Sequence, residues 1–288
     1  MAGKFDRYIA LLREDTPELR TNDARLVEDG QYNDVVIVDG RLAFRFPKRL
    51  AHFAAAETSA ALLSRVGRLL PLAVPHPTAV RLTGRGVGAG YVAYDLVPGE
   101  PFHVEVWEAV AEGEDRRSVV RQLATFLRAL HGVDLACVAD LAVPCDNSAA
   151  WAAMVASIRE RLFQYMRSAA RIAVAKLFET LLANLDYAPR LIHGDFGTSN
   201  LLFDPAAGRI TGVLDFDGAR LGDPATDVAA LMSYGDQFMS LLVDEWPDSA
   251  TLVERARLYQ GTFALQEVLF GLDHGDADAF NAGIAEYT

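Results

Sequence analysis

Four polar residues near the two-thirds point of the chain have the types and spacing to carry chemistry. The segment Leu191-Ile192-His193-Gly194-Asp195-Phe196-Gly197-Thr198-Ser199-Asn200 is followed by Val213-Leu214-Asp215-Phe216-Asp217-Gly218. As spacing this is H-x-D-x-x-x-x-N, then an apolar strand ending in D-F. Asp and Asn are ordinary turn residues, and a lone histidine most often satisfies a local hydrogen bond. The combination between apolar runs is what carries the information. Phosphoryl transfer needs a carboxylate to orient the attacking hydroxyl and accept its proton. It also needs an amide oxygen and a second carboxylate to hold Mg²⁺ on the phosphates. Asp195, Asn200 and Asp215 fit those roles in that order, with Asp195 catalytic and Asn200 and Asp215 as metal ligands.

These side chains need rigid supports. Residues 201–203 and 210–214 read as the two arms of a hairpin around Asp204-Pro205. The first third of the chain reads mostly as strands. Residues 35–38 are a β-branched run, Asp39-Gly40 is a strong two-residue hairpin signal, and 41–46 alternates Leu42, Phe44 and Phe46 with Arg41, Ala43 and Arg45 before Pro47. A helix is predicted over 51–66, a loop over 71–77, and strands over 79–82 and 91–97 around the glycine-rich turn 84–90. Pro98-Gly99-Glu100-Pro101 is dense in breakers and marks a boundary. Beyond it the pattern turns helical. Residues 118–131 carry a 3.6-residue stripe of Val119, Leu123, Phe126, Leu127 and Leu130, 149–185 reads as one long or two shorter helices, and the chain is helical again from 224. The expected fold class is α+β and bilobal, a small antiparallel-sheet lobe over 1–97 and a larger, mainly helical lobe over 98–288 that carries a catalytic hairpin at 191–217.

Composition narrows the partners. The 288 residues carry 27 Lys and Arg against 39 Asp and Glu, a net charge of −12, which argues against nucleic acid and is compatible with a cationic ligand. Two cysteines, Cys137 and Cys145, make no disulfide framework or metal-type pair. Residues 1–20 mix acidic and apolar positions as an amphipathic helix does, not a signal peptide, and no apolar run is long enough to span a bilayer. A cytoplasmic monomer with no membrane or nucleic-acid partner is expected.

The run from His193 to Asp227 resembles the aminoglycoside phosphotransferases, relatives of the protein kinases, and within them the aminoglycoside 2''- and macrolide phosphotransferase branch. Gly222-Asp223-Pro224-Ala225-Thr226-Asp227 is similar to the G-D-P-x-x-D of that family. The resemblance implies a protein-kinase-like fold in which His193, Asp223 and Asp227 brace the catalytic loop. It covers most of the chain from about Asp29 and is weakest over 104–185. Phe44-Arg45-Phe46-Pro47-Lys48 resembles the kinase strand that carries a phosphate-binding lysine, and Glu57 stands where the family has the ion-pair partner. Here Arg45 replaces the lysine. Its guanidinium can bind phosphate through two hydrogen bonds, and Lys48 can share or take the role. Residues 28–33 correspond to the loop over the phosphates but lack G-x-G-x-x-G and G-K-[ST]. Tyr94 to Gly99 resembles the hinge, where the backbone of Asp95 and Val97 would meet the purine. Phe126 to His131 resembles the family's F-L-x-x-L-H helix and reads as core.

The implied reaction moves the γ-phosphoryl group of ATP or GTP, with Mg²⁺, to a hydroxyl of a small and cationic acceptor, an aminoglycoside. Glu267 and Asp273 are candidate carboxylates for it, with Asp276 and Asp278 nearby. Macrolide 2'-phosphorylation, or another small-hydroxyl kinase, is the alternative. A pseudokinase is disfavoured by the intact Asp195, Asn200 and Asp215. A protein kinase is disfavoured by the short run from Asp215 to Gly222-Asp223-Pro224.

Overall fold

The computed structural model describes residues 3–28, 32–82 and 88–288. In chain order it runs α1 (Lys4–Asp15), β1 (Arg25–Val27), β2 (Asn33–Val38), β3 (Leu42–Pro47), α2 (Ala51–Val66), β4 (Pro77–Arg81), β5 (Tyr91–Asp95) and β6 (Glu100–Pro101). There follow α3 (Val104–Ala109), α4 (Glu114–His131), α5 (Ser148–Leu162), α6 (Ser168–Ala183), β7 (Arg190–Ile192), β8 (Leu201–Asp204), β9 (Arg209–Val213) and β10 (Arg220–Gly222). The chain ends in α7 (Ala225–Ala230), α8 (Asp236–Glu245), α9 (Ser249–Gln260), α10 (Phe263–His274) and α11 (Ala277–Ile284). It packs as two compact units. Met1–His103, Val133–Val143 and Ser199–Ala219 form the first, and the remaining residues form the second.

The first unit is built on an antiparallel sheet in the order β1-β2-β3-β5-β4. Asp39 and Gly40, at φ 53° and 59°, make the β2–β3 turn, and Val38 then faces Leu42 in register. Alternation along the strands sends two residue sets to opposite faces. Val36, Val38, Phe44 and Phe46 pack under α1 with Tyr8 and Leu12, and Tyr8 stacks on Phe46 at 4.0 Å between ring centres. Asn33, Val35, Ile37, Ala43 and Arg45 face the other way. The predicted strand over 91–97 ends at Asp95.

The breaker-rich segment after the sheet does not leave this unit. Glu100 and Pro101 pair with Phe203 and Leu202 of β8, and β8 pairs with β9. Proline is tolerated there because β6 is an edge strand with one neighbour. The hairpin turn is closed by Asp204, whose carboxylate accepts from the amides of Ala206 and Ala207, and by Gly208 at φ 62°. Thr211 donates to the Pro98 carbonyl at 2.6 Å, and the Val213 amide donates to Ala73 at 2.9 Å. A Cβ on Gly212 would lie 2.4 Å from Val97 and 2.8 Å from the Ala73 carbonyl. Only glycine lets these segments approach so closely.

The second unit is mainly helical. The stripe on α4 is buried in full: Val119, Leu123, Phe126, Leu127 and Leu130 are each 0% exposed. Residues 149–185 form two helices, α5 and α6, joined through a short 3₁₀ turn at Phe163–Tyr165. The two-stranded ladder of β7 and β10 pairs Leu191 with Leu221 and Ile192 with Arg220. Residues 191–217, read from sequence as two strands, hold three, because Leu191 and Ile192 pair with a later segment rather than with the hairpin. The fold class is the expected mixture of a small antiparallel sheet and a helical part. Among the described residues no helix is long and apolar enough to cross a membrane, and Cys137 and Cys145 are free and exposed.

Candidate active site

The sheet face opposite α1 forms one wall of a cavity of about 260 Å³ inside the first unit. That is close to the lower end of the roughly 300–1,000 Å³ usual for small-molecule sites. Val27, Val35, Ile37 and Ala43 supply apolar surface, Asp95, Leu96 and Val97 a backbone rim, and Arg45, Asn200 and Asp215 a polar end. Leu96 donates to the Arg41 carbonyl at 2.7 Å, so the facing pair Leu42 and Asp95 is of the non-hydrogen-bonded type. In such a pair the amide and carbonyl point away from the partner strand. Asp95 therefore turns its peptide groups away from β3, past Pro77, the first residue of β4 to pair with β5. Tyr94 closes the inner wall at 2% exposed, and burial pushes its hydroxyl up to about 12.

At the polar end the Leu214 amide donates to the Asn200 carbonyl at 2.7 Å, which ties the entry of β8 to the exit of β9. Asp215 follows in the left-handed region, at φ 58° and ψ 73°, a conformation uncommon outside glycine and often found at functional positions. Arg45, projecting from β3, donates through Nη2 to Asp215 Oδ1 and to Asp217 Oδ2, each at 2.9 Å. Asn33 donates to the same Asp217 oxygen at 3.0 Å. Burial works against the Arg45 charge, but the carboxylates of Asp215 and Asp217 outweigh it and hold the guanidinium protonated. Among the described residues no three His, Cys, Asp or Glu gather as a metal site. The donors here are an amide oxygen and a carboxylate whose side chain keeps 34% of its surface open. That set suits Mg²⁺, which takes one or two carboxylates and fills its remaining positions from phosphate and water.

The Asp195 loop lies in the second unit and is held by one buried carboxylate. Asp227, 0% exposed, accepts from the His193 amide at 2.9 Å and the Gly194 amide at 2.8 Å. Nε2 of His131 lies 2.9 Å from its Oδ2. Burial alone would raise the Asp227 pKa, but the hydrogen bond and charge of His131 and the loop amides bring it below the ordinary value. Gly194 adopts φ 80°, and the Asp195 amide donates to His193 Nδ1 at 3.2 Å. The Asp195 side chain is left exposed.

The remaining expected residues are exposed or have other partners. Lys48 donates to the Glu28 carbonyl at 2.8 Å and pairs with the buried Asp34 at 3.4 Å, so it is tied to the face under α1. Glu57 is exposed on α2, and both ion pairs of Arg45 run to the 215–217 turn instead. The Asp223 carboxylate has its hydrogen-bond partners on α7 and α9. It takes a two-pronged pair from Arg255 at 2.7 and 2.9 Å and a hydrogen bond from Tyr259 at 3.0 Å, and it accepts from the Ala225 amide at the start of α7. It thus joins α7 to α9. Asp273 is paired with Arg161 at 2.6 Å, and Glu267 is exposed on α10. Residues 29–31 of the phosphate-loop segment and 83–87 of the glycine-rich turn lie outside the described residues. Sequence reasoning passed over Asp217, Asn33 and the role of His131. A second carboxylate two positions after Asp215 was a visible signal for the first, and nothing local signals the other two.

Residues 23–268 match the model of the phosphotransferase enzyme family, APH, and the chain belongs to that family. It is 30% identical over 273 residues to viomycin phosphotransferase from Streptomyces vinaceus, covering 91% of each chain. Its fold is similar to that of APH(2")-IIia, solved with GDP and kanamycin, at a TM-score of 0.88 and 22% identity, over 97% of this chain and 96% of that one. A macrolide 2'-phosphotransferase type I matches at 0.78 and 23%, over 99% and 96%.

Proposed function

We propose that this phosphotransferase moves the γ-phosphoryl group of a purine nucleoside triphosphate to a hydroxyl of a cationic antibiotic. The observation that carries the donor half is the cavity of the first unit, where apolar walls, an outward-turned backbone rim and Arg45 with Asn200 and Asp215 share one space. The base lies against Val27, Val35 and Ala43, with its edge on the backbone of Asp95 and Val97. Arg45 meets the phosphates. Asn200 and Asp215 would hold Mg²⁺, which when bound neutralises charge on the transferring group. Asp195, its loop held by Asp227, takes the proton of the acceptor hydroxyl as that oxygen bonds to the γ-phosphorus. The bond from phosphorus to the bridging oxygen breaks, and the nucleoside diphosphate leaves with its electron pair.

For the acceptor, the 30% relative over 91% of the chain favours viomycin or an antibiotic like it. The net charge of −12 agrees with a cation. An aminoglycoside is the second reading, supported by the fold neighbour solved with kanamycin.

The test is release of nucleoside diphosphate from ATP, and separately GTP, with viomycin, kanamycin and a macrolide as acceptors. Stimulation by viomycin or kanamycin is the expected result, and stimulation by the macrolide alone would overturn the cationic assignment. Asp195→Asn should lose about 10²–10⁴ in turnover, the usual worth of a positioned base, with nucleotide affinity unchanged. A variant that turns over at near the parent rate removes Asp195 from the role. Withdrawing divalent metal, or Asp215→Ala, should weaken triphosphate binding. Binding that ignores both would remove Asp215 from the metal site.

A further inference from the structure

In kinase-type sites the cation that meets the phosphates is aimed by a carboxylate that holds it from behind. The expected holder, Glu57, is exposed on α2 and makes no ion pair among the described residues. Asp217 is placed differently. Its side chain is 11% exposed and spans the guanidinium, Oδ2 to Nη2 at 2.9 Å and Oδ1 to Nη1 at 3.5 Å. Asn33 Nδ2 fixes the Oδ2 end at 3.0 Å. Asp215, which shares Nη2, is more exposed than Asp217, 34% against 11%, and lines the cavity. The two carboxylates are therefore unequal: one is enclosed and hydrogen-bonded from the sheet, the other open toward the ligand.

We infer that Asp217, clamped by Asn33, is the positioning residue for Arg45 and has taken over the duty expected of Glu57. Arginine makes the exchange workable. A lysine presents a single charged point, whereas the guanidinium fork can keep two contacts on Asp217 and offer its other donors to phosphate when Asp215 turns to the metal. This inference rests on the reading of Arg45 as the phosphate contact.

The experiment is calorimetric binding of ATP, with GTP in parallel, in the presence of Mg²⁺ and without acceptor. It compares the parent protein with Asp217→Asn, Asp217→Glu, Glu57→Gln, Arg45→Gln and the double variant Arg45→Gln with Asp217→Asn. Asp217→Asn is expected to raise Kd by about tenfold or more, as loss of a charged hydrogen bond does. Glu57→Gln should leave Kd within about twofold, as exposed charge changes do. The double variant should bind like Arg45→Gln alone, because contacting residues are non-additive. Asp217→Glu should recover part of the loss, which a mere folding defect would not predict. Two results overturn the inference while leaving the reading of Arg45 intact: a larger loss from Glu57→Gln than from Asp217→Asn, or an undiminished Asp217→Asn effect in the Arg45→Gln background. If Arg45→Gln itself binds as tightly as the parent, the reading of Arg45 fails, and the inference fails with it.

Discussion

At the scale of single residues, Asp227 shows how a carboxylate can matter without touching a reacting atom. Its two oxygens accept from two consecutive loop amides and lie beside His131, and so set the direction of the chain two residues before Asp195. Asp227→Asn keeps the shape but loses the charge and turns a donor toward donors. The cost should be about 1.5–3 kcal/mol of stability, the range for hydrogen bonds to a charged group. A denaturant titration at neutral pH checks this. The pH dependence has a definite sign. The folded-state pKa lies below the ordinary value, so the contribution is complete above the unfolded aspartate's value of about 3.9 and is lost as pH falls through the lower, folded value. The difference in stability between parent and variant should therefore shrink toward zero in acid. A gap that stays constant to low pH would show that the charge of Asp227 is not what holds the loop. His131 was read from the sequence as a core histidine. It is buried as expected, but its partner is 96 positions away, a relation that no local pattern encodes.

At the scale of elements, what was legible is what depends on neighbours in sequence. The β2–β3 turn followed from Asp39-Gly40, α2 from its uninterrupted run, the stripe of α4 from its period, and the β8–β9 hairpin from two apolar arms around Asp204-Pro205. What escaped depends on distant pairing. The segment 98–101 reads as a linker because it is rich in breakers, yet Phe203 and Leu202 take it into a sheet. Leu191 and Ile192 find their partners about 30 residues downstream. Glu57 was assigned by its place on the helix, while the competing carboxylate stood on another element. The hairpin's own fit gives a prediction at this scale. Gly212→Ala would put a methyl group against Val97 and the Ala73 carbonyl, and overpacking of this kind costs about 1–3 kcal/mol. Because Val97 also lines the cavity, the strain should appear twice, as a lower melting temperature and as weaker nucleotide binding. Loss of stability with unchanged nucleotide affinity would separate the hairpin contact from the cavity wall.

At the scale of the whole chain, charge makes a prediction that no single contact makes. With 39 acidic residues against 27 basic ones, the field of the protein favours cations and disfavours an anionic nucleotide. The two substrates should therefore respond to salt differently. Screening shortens the Debye length from about 10 Å at 0.1 M to about 3 Å at 1 M, which removes long-range attraction while leaving contacts at hydrogen-bond distance. For a cationic acceptor kcat/KM should fall several-fold across that range, with kcat at saturation little changed, because steering acts on encounter rather than on the bound complex. For the triphosphate, long-range repulsion from the acidic surface weakens together with the long-range attraction of nearby cations, and the net change should be smaller. Steady-state kinetics at fixed pH, varying one substrate at a time, reads both. If kcat/KM for viomycin and kanamycin holds constant while both are turned over, the acidity of the chain serves solubility alone, and acceptor selection rests entirely on contacts inside the site.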